Sequence, residues 1–145
     1  MLHIVSKSGT VFKSVSEKWT QLLWNDVSKI SISNGKWKVG RADHKAYELS
    51  NSQWVLNEDK TADKVMAIST GKVYTWTVNK DKSIKFKNMT TKAWTTITDH
   101  GIDVATSQDD SVVYFISDTH LSHNKGPTLK YYSTTLGGSK PFGKD

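Results

Sequence analysis

An all-β fold built from repeated four-stranded units, a β-propeller in architecture, is what this sequence predicts, and three observations carry the prediction. Apolar and polar residues alternate with period two in Lys29-Ile30-Ser31-Ile32-Ser33, from Lys72 to Val78, and in Ser83-Ile84-Lys85-Phe86-Lys87, the pattern of half-buried strands. The two prolines, Pro127 and Pro141, both lie near the C-terminus, so nearly all of the chain can enter hydrogen-bonded ladders. A spaced aromatic pattern then recurs along the chain, the signature of a repeat architecture.

The first copy opens with Leu2-x-Ile4, followed by Phe12 and Trp19. The second runs Trp37-x-Val39, Tyr47, Trp54, and the third Trp76-x-Val78, Phe86, Trp94. Seven residues separate the second apolar position from the next aromatic in all three copies, and six, six and seven residues then lead to the tryptophan. Ile30-x-Ile32-x-x-Gly35 and Met66-x-Ile68-x-x-Gly71 precede the second and third copies. A fourth, degraded copy begins at Tyr114-x-Ile116 and continues, after an insertion from Asp118 to Pro127, with Leu129 to Tyr132; Phe142 takes the tryptophan's place. Turn signals such as Ser8-Gly9, Asn34-Gly35, Thr70-Gly71 and Asn79-Lys80-Asp81 separate the runs. Residues 14–28 come nearest to an amphipathic helix, but their tryptophans fit the strand repeat better.

A unit of about 35 to 40 residues with four short strands cannot bury both faces of its sheet alone and must stack on neighbours. We therefore divide the chain into a half-blade over 1–18, repeats over about 19–53, 54–93 and 94–136, and a tail over 137–145. Each blade is expected to read as a Trp-led strand, the Ile-x-Ile strand, the Trp-x-Val strand and an aromatic-bearing outer strand. Trp19, Trp54 and Trp94 are expected to fill the wedge between adjacent sheets, since one large ring buries about 150 to 250 Å². Closure is expected either by strand sharing between the termini or by two chains completing one ring, because open sheet edges invite aggregation.

The segment from Lys64 to Gly71, followed by Trp76-Thr77-Val78-Asn79 and Ile84-Lys85-Phe86, resembles the tectonin repeat of tectonin and tachylectin-like β-propeller lectins. That family pattern has a leading Trp, a hydrophobic strand ending near a Gly, a Val-Trp-x-Val-Asn strand and an Ile-Tyr-like close. The likeness is strongest over 54–88, weaker over 19–49 and poor after 117. Extra residues between Gly71 and Trp76, and Val39-Gly40 in place of Val-Asn, depart from it. The resemblance implies glycan binding in pockets repeated around a ring.

Composition narrows the remaining chemistry. The 145 residues are 36% hydrophobic and 23% charged, ordinary for one domain. No apolar run approaches the roughly 20 residues that a membrane helix needs, and Met1 to Val5 turns polar too quickly for a secretory signal. The compartment stays open. With no cysteine, thiol nucleophiles and cysteine-bound metals are excluded. The net charge of +6 invites a nucleic-acid reading, but Arg41 is the single arginine and base and phosphate recognition favour the guanidinium fork. Lys36, Lys38, Lys72, Lys80, Lys82, Lys85 and Lys87 read instead as the solvated face of exposed strands. Neither a nucleic-acid partner nor a cofactor is expected.

Sugars are read by aromatic rings on their apolar C–H face, with polar groups fixing orientation. The candidate ligand-binding residues are Trp24, Trp37, Trp76, Tyr74, Tyr114, Arg41 and Asp43. Trp24 lies in an expected loop beside Asn25 and Asp26, whereas Trp37 and Trp76 share the repeat position of Leu2 and Tyr114 and so have inter-sheet packing as their alternative. One motif points elsewhere. Val113 to Ser117 followed by Asp118-Thr119-His120 and His123 is similar to the first metal motif of calcineurin-like metallophosphoesterases, which hold two metals around a phosphate. The chain offers none of that family's later Gly-Asp, Gly-Asn-His-Glu or Gly-His-x-His segments, so neither catalysis nor a resident metal is expected. A protein-binding scaffold of viral or toxin type is the other class that fits.

Overall fold

The computed structural model describes residues 2–32, 35–56, 64–117, 128–133 and 138–141, and every described element is a β-strand. In order these are β1 (Leu2–Val5), β2 (Val11–Val15), β3 (Lys18–Gln21), β4 (Val27–Ile32), β5 (Lys36–Gly40), β6 (Ala46–Ser50), β7 (Gln53–Leu56), β8 (Val65–Thr70), β9 (Tyr74–Asn79), β10 (Ser83–Asn88), β11 (Trp94–Thr106), β12 (Val112–Ser117), β13 (Thr128–Ser133) and β14 (Gly138–Pro141). They form three antiparallel meanders, β1 to β3, β4 to β7, and β8 to β14. The all-β class expected from the alternation is what the structure shows.

The seven-stranded sheet turns a corner within β11. Its first half pairs with β10, as in Lys87 opposite Trp94, and its second half pairs with β12, as in Ala105 opposite Tyr114. Gly101 sits at the corner, where an added Cβ would stand 3.0 Å from the Ile116 carbonyl oxygen and 2.9 Å from Ile84 Cδ1. A side chain there would force the Ile84 methyl and the Ile116 carbonyl to give way. We therefore treat β8 to the first half of β11 as a third strand group, and the second half of β11 to β14 as a fourth.

The strand order within a sheet differs in phase from the expected unit. The tryptophan-led strand closes a sheet rather than opening the next: Trp19 lies on β3 opposite Ser14 of β2, and Trp54 on β7 opposite Leu49 of β6. The turns are the cause. Ser16 and Glu17 (φ 50° and 67°) and Asn51 and Ser52 (φ 50° and 64°) form two-residue connections with positive φ at both positions, the hairpin geometry that pairs its flanking strands directly. The first sheet accordingly contains three strands, β3 included.

Register also corrects the repeat alignment. Ser31, Ser69 and Ala105 stand opposite Trp37, Trp76 and Tyr114, so those three aromatics are equivalent, as expected. In the first sheet the hairpin pair is Val5 opposite Val11, matching Val39 opposite Ala46 and Val78 opposite Ile84. The position of Trp37 thus falls on His3, not Leu2. A slip of one residue moves a side chain to the other face. For the same reason Tyr47, opposite Lys38, and Phe86, opposite Trp76, lie on opposite faces of their sheets despite equal spacing in the sequence.

Adjacent groups are joined by the same bonds each time. The N–H groups of Val27, Val65 and Gly101 donate to the carbonyls of Gly9, His44 and Lys82 at 3.1, 2.7 and 2.8 Å. One residue further along each strand the ladder shifts, between Val27 and Lys29, Val65 and Ala67, and Gly101 and Asp103, a bulge conserved in position from copy to copy. Thr70 N–H then donates to Ser31 Oγ at 2.8 Å and Thr106 N–H to Ser69 Oγ at 3.0 Å. Between the groups lie two apolar clusters. Trp37, Val39, Ala46, Val65 and Ile68 form the first, with Met89 and Trp94 packed on it. Trp76, Val78, Ile84, Val104, Val113 and Phe115 are the main members of the second, with Tyr74, Phe86, Ile97 and Tyr132 against it.

Candidate functional site

The seam between the first and second sheets carries a group of aromatic rings and ammonium groups. The loop that supplies Trp24 is pinned at both ends: Leu22 N–H donates to Val11 O at 2.9 Å, and Asp26 O accepts from Arg41 N–H at 2.8 Å. Asp26 has φ 53°, which turns the chain sharply into β4. Trp24 is half-buried while its neighbour Leu23 is 99% exposed. The indole lies nearly parallel to the His3 ring, 7° between planes and 6.4 Å between centroids, and edge-on to Trp54 at 5.2 Å.

Lysines cap these rings. Lys36 Nζ lies 5.9 Å from the Trp24 centroid, and Lys38 Nζ lies 5.1 Å from Trp54 and 5.2 Å from Tyr47, all within cation–π range. Burial lowers the Lys38 pKa, opposed by Asp26 and Asp43. The His3 imidazole is held below 6.5 by burial and then by the positive charges of Lys13, Lys36 and the N-terminus. Lys36 and Lys38 thus bring positive charge to the rings of Trp24 and Trp54, with Asp26 and Asp43 acting on Lys38. Sequence alternation alone marked these lysines as a solvated face; the seam was missed because Trp24 comes from a loop and His3 from another sheet. The visible hint is the Lys36-Trp37-Lys38 triplet, whose alternation turns both ammonium groups away from the buried Trp37 and toward the first sheet.

The other candidates separate. Trp37 and Trp76 are 1% and 3% exposed and sit inside the two clusters, Trp76 at 4.6 Å from Phe86 and 5.5 Å from Tyr132. Both take the packing role, the alternative that their repeat position offered. Tyr74 is half-buried, edge-on to Phe86 at 5.3 Å. Tyr114 is 39% exposed, 6.4 Å from Tyr131, on the wall of an open pocket of about 150 Å³ that Ile116 and Leu129 also line. Of the expected wedges, Trp54 and Trp94 are half-buried at seams, whereas Trp19 is 51% exposed. The Asp118, His120 and His123 motif lies outside the described residues, as does Phe142.

Arg41 and Asp43 make hydrogen bonds within the protein. Arg41 Nη1 donates to Ser8 O at 3.5 Å, tying the second sheet to the first. Asp43 accepts from the Tyr47 hydroxyl and, at 3.0 Å, from Lys45 N–H. Burial works to raise the Asp43 carboxyl, but the Tyr47 hydroxyl and the turn N–H outweigh it and hold the carboxyl below 3.8. The same hydrogen bond pushes the Tyr47 phenol up to about 12. An Asp with a depressed pKa contributes stability above 3.8 that is lost as acid protonates it, and a Tyr with a raised pKa contributes stability below 10.0 that is lost as pH climbs through about 12. Tyr47→Phe should therefore cost about 0.5 to 1 kcal/mol, small because solvent reaches the pair. In thermal melts across pH the deficit should hold on the plateau between those limits and close at both extremes.

At this seam, then, a half-exposed indole, a histidine, two lysines and a second indole converge on one surface. That arrangement can stack on a flat apolar face and attract negative charge. A scan against protein-family models and a search of curated proteins both return no match for this chain.

Proposed function

We propose that the chain is a non-catalytic glycan-binding module of β-propeller type, whose blades repeat around an axis and whose ligand is a sugar carrying a carboxylate or sulfate. The observation that carries this reading is Trp24, half-exposed on a pinned loop with Lys36 over its ring and His3 alongside. The indole face suits the C–H face of a pyranose, and the ammonium groups suit its acidic substituent. The repeated bulges and inter-sheet hydrogen bonds support the propeller reading, since each strand group meets the next through the same atoms. Several weak pockets on one assembly would gain avidity against a repeating surface.

Binding to an array of neutral, sialylated and sulfated glycans tests this. Retention on acidic glycans is expected, weakening as salt rises, with Trp24→Ala reducing affinity about tenfold, or about 1.4 kcal/mol, while the far-ultraviolet spectrum is unchanged. Lys36→Gln should lower affinity for acidic glycans alone. An absence of binding to every glycan, with a stable protein complex in its place, would favour the scaffold reading, for which exposed Leu2, Ile4 and Trp19 are the relevant observation.

A further inference from the structure

Among the described residues one kind of inter-sheet contact is made twice. Trp54, on the last strand of the second sheet, turns back onto the first sheet and meets Trp24 beside His3. Trp94, on the corresponding strand of the third group, turns back onto the second sheet and packs on the cluster of Trp37, with Lys87 Nζ 5.9 Å from both rings. Two positions define this contact: an inserting tryptophan, opposite Leu49 or Lys87, and a receiving residue, His3 or Trp37.

Each end of the series carries one half of the same contact. Trp19, opposite Ser14, occupies the inserting position of the first sheet. Because Leu2, Ser14 and Trp19 form one cross-strand row, Leu2 shares the face of Trp19, and Ile4, two residues along, shares it too. Leu2, Ile4 and Trp19 are 58%, 46% and 51% exposed, an apolar face turned away from the second sheet, toward which His3 points. At the other end Tyr114 occupies the receiving position of the fourth group, opposite Ala105. Its pocket of about 150 Å³ opens there, and Leu129 beside it is 38% exposed. Packing between groups runs in series, β1 on β4, β4 on β8 and β8 on β11.

We propose that the Trp19 face of one chain docks on the Tyr114 face of a second copy of the same chain, head to tail, continuing across the boundary the contact already made twice inside it. The occupant is a second copy because the inserting and receiving halves match by register, and each lies on an apolar surface of the kind that soluble proteins cover. Such a heterologous contact extends the stack and closes when the rotation permits. The inference extends the propeller reading and does not depend on the glycan.

Light scattering on separated fractions, over a range of concentrations, tests it with Trp19→Lys and Tyr114→Lys. Wild type should exceed the 16.3 kDa of one chain as concentration rises, and each variant alone should stay monomeric. An equimolar mixture should form a one-to-one dimer and nothing larger, because one chain retains the receiving face and the other the inserting face. A wild-type monomer at every concentration, variants that associate like wild type, or a mixture that stays monomeric would each overturn the proposal. Leu2→Lys and Leu129→Lys repeat the experiment should either first variant fail to fold. Glycan retention, read on the same samples, reports separately on the proposed function.

Discussion

Trp37→Ala is expected to lower the free energy of unfolding by about 3 to 5 kcal/mol, the cost of emptying a large buried site. Trp37 is 1% exposed and packs with Val39, Ala46, Val65 and Ile68 between the second and third groups. Its neighbours are held by strand ladders on both sides and cannot collapse into the space. Trp19→Ala, measured on dilute monomer, should stay within about 0.5 kcal/mol of wild type, because that ring is 51% exposed. Urea unfolding of the two variants reads the contrast directly; equal losses would mean that the first sheet is covered in solution. Among the described residues the Trp37 indole N–H is buried without a hydrogen-bond partner. Trp37→Phe should therefore cost less than lost volume alone suggests, since it also removes an unsatisfied donor.

A second large effect is expected at the serines between groups. Ser31→Ala should cost about 1 to 3 kcal/mol, because it strands the N–H of Thr70, a residue 3% exposed, without its acceptor. Ser69→Ala should cost less than Ser31→Ala, since Thr106 is only half-buried. Ala105→Ser at the third equivalent position serves as the control and should be near neutral. Amide hydrogen exchange adds a local reading: protection at Thr70 should fall in Ser31→Ala and persist in Ser69→Ala.

Much of the strand architecture was legible. Alternation in Lys29 to Ile32, Tyr74 to Val78 and Ser83 to Lys87 marked β4, β9 and β10, and the equivalence of Trp37, Trp76 and Tyr114 followed from spacing. The first copy misled by one residue, because Leu2 and Ile4 look like a buried pair while His3 and Val5 face the second sheet. Equal spacing of Tyr47 and Phe86 misled for a related reason. Six residues separate Val39 from Ala46 and five separate Val78 from Ile84, so the hairpins differ by one residue and the aromatics face opposite ways. The turns at Ser16-Glu17 and Asn51-Ser52, which carry positive φ without a glycine, were not among the turn signals read from the sequence.

The candidate site was legible only in part. Trp24 stood out by its loop context, but its partners could not be found along the chain, because His3, Lys36 and Trp54 come together through the stacking of two sheets. Arg41 and Asp43 look like a ligand rim in the sequence; in the structure Arg41 Nη1 lies 3.5 Å from Ser8 O, and Asp43 accepts from Lys45 N–H and the Tyr47 hydroxyl.

By itself the sequence determined the strand class, because period-two alternation and turn chemistry are local properties of a chain. Tertiary structure alone decided which face each ring occupies and which tryptophans are covered. Those depend on hairpin length to within one residue, and on whether another sheet lies beyond the one that carries the ring. Trp54 and Trp94 meet such a sheet; Trp19, 51% exposed, meets none among the described residues.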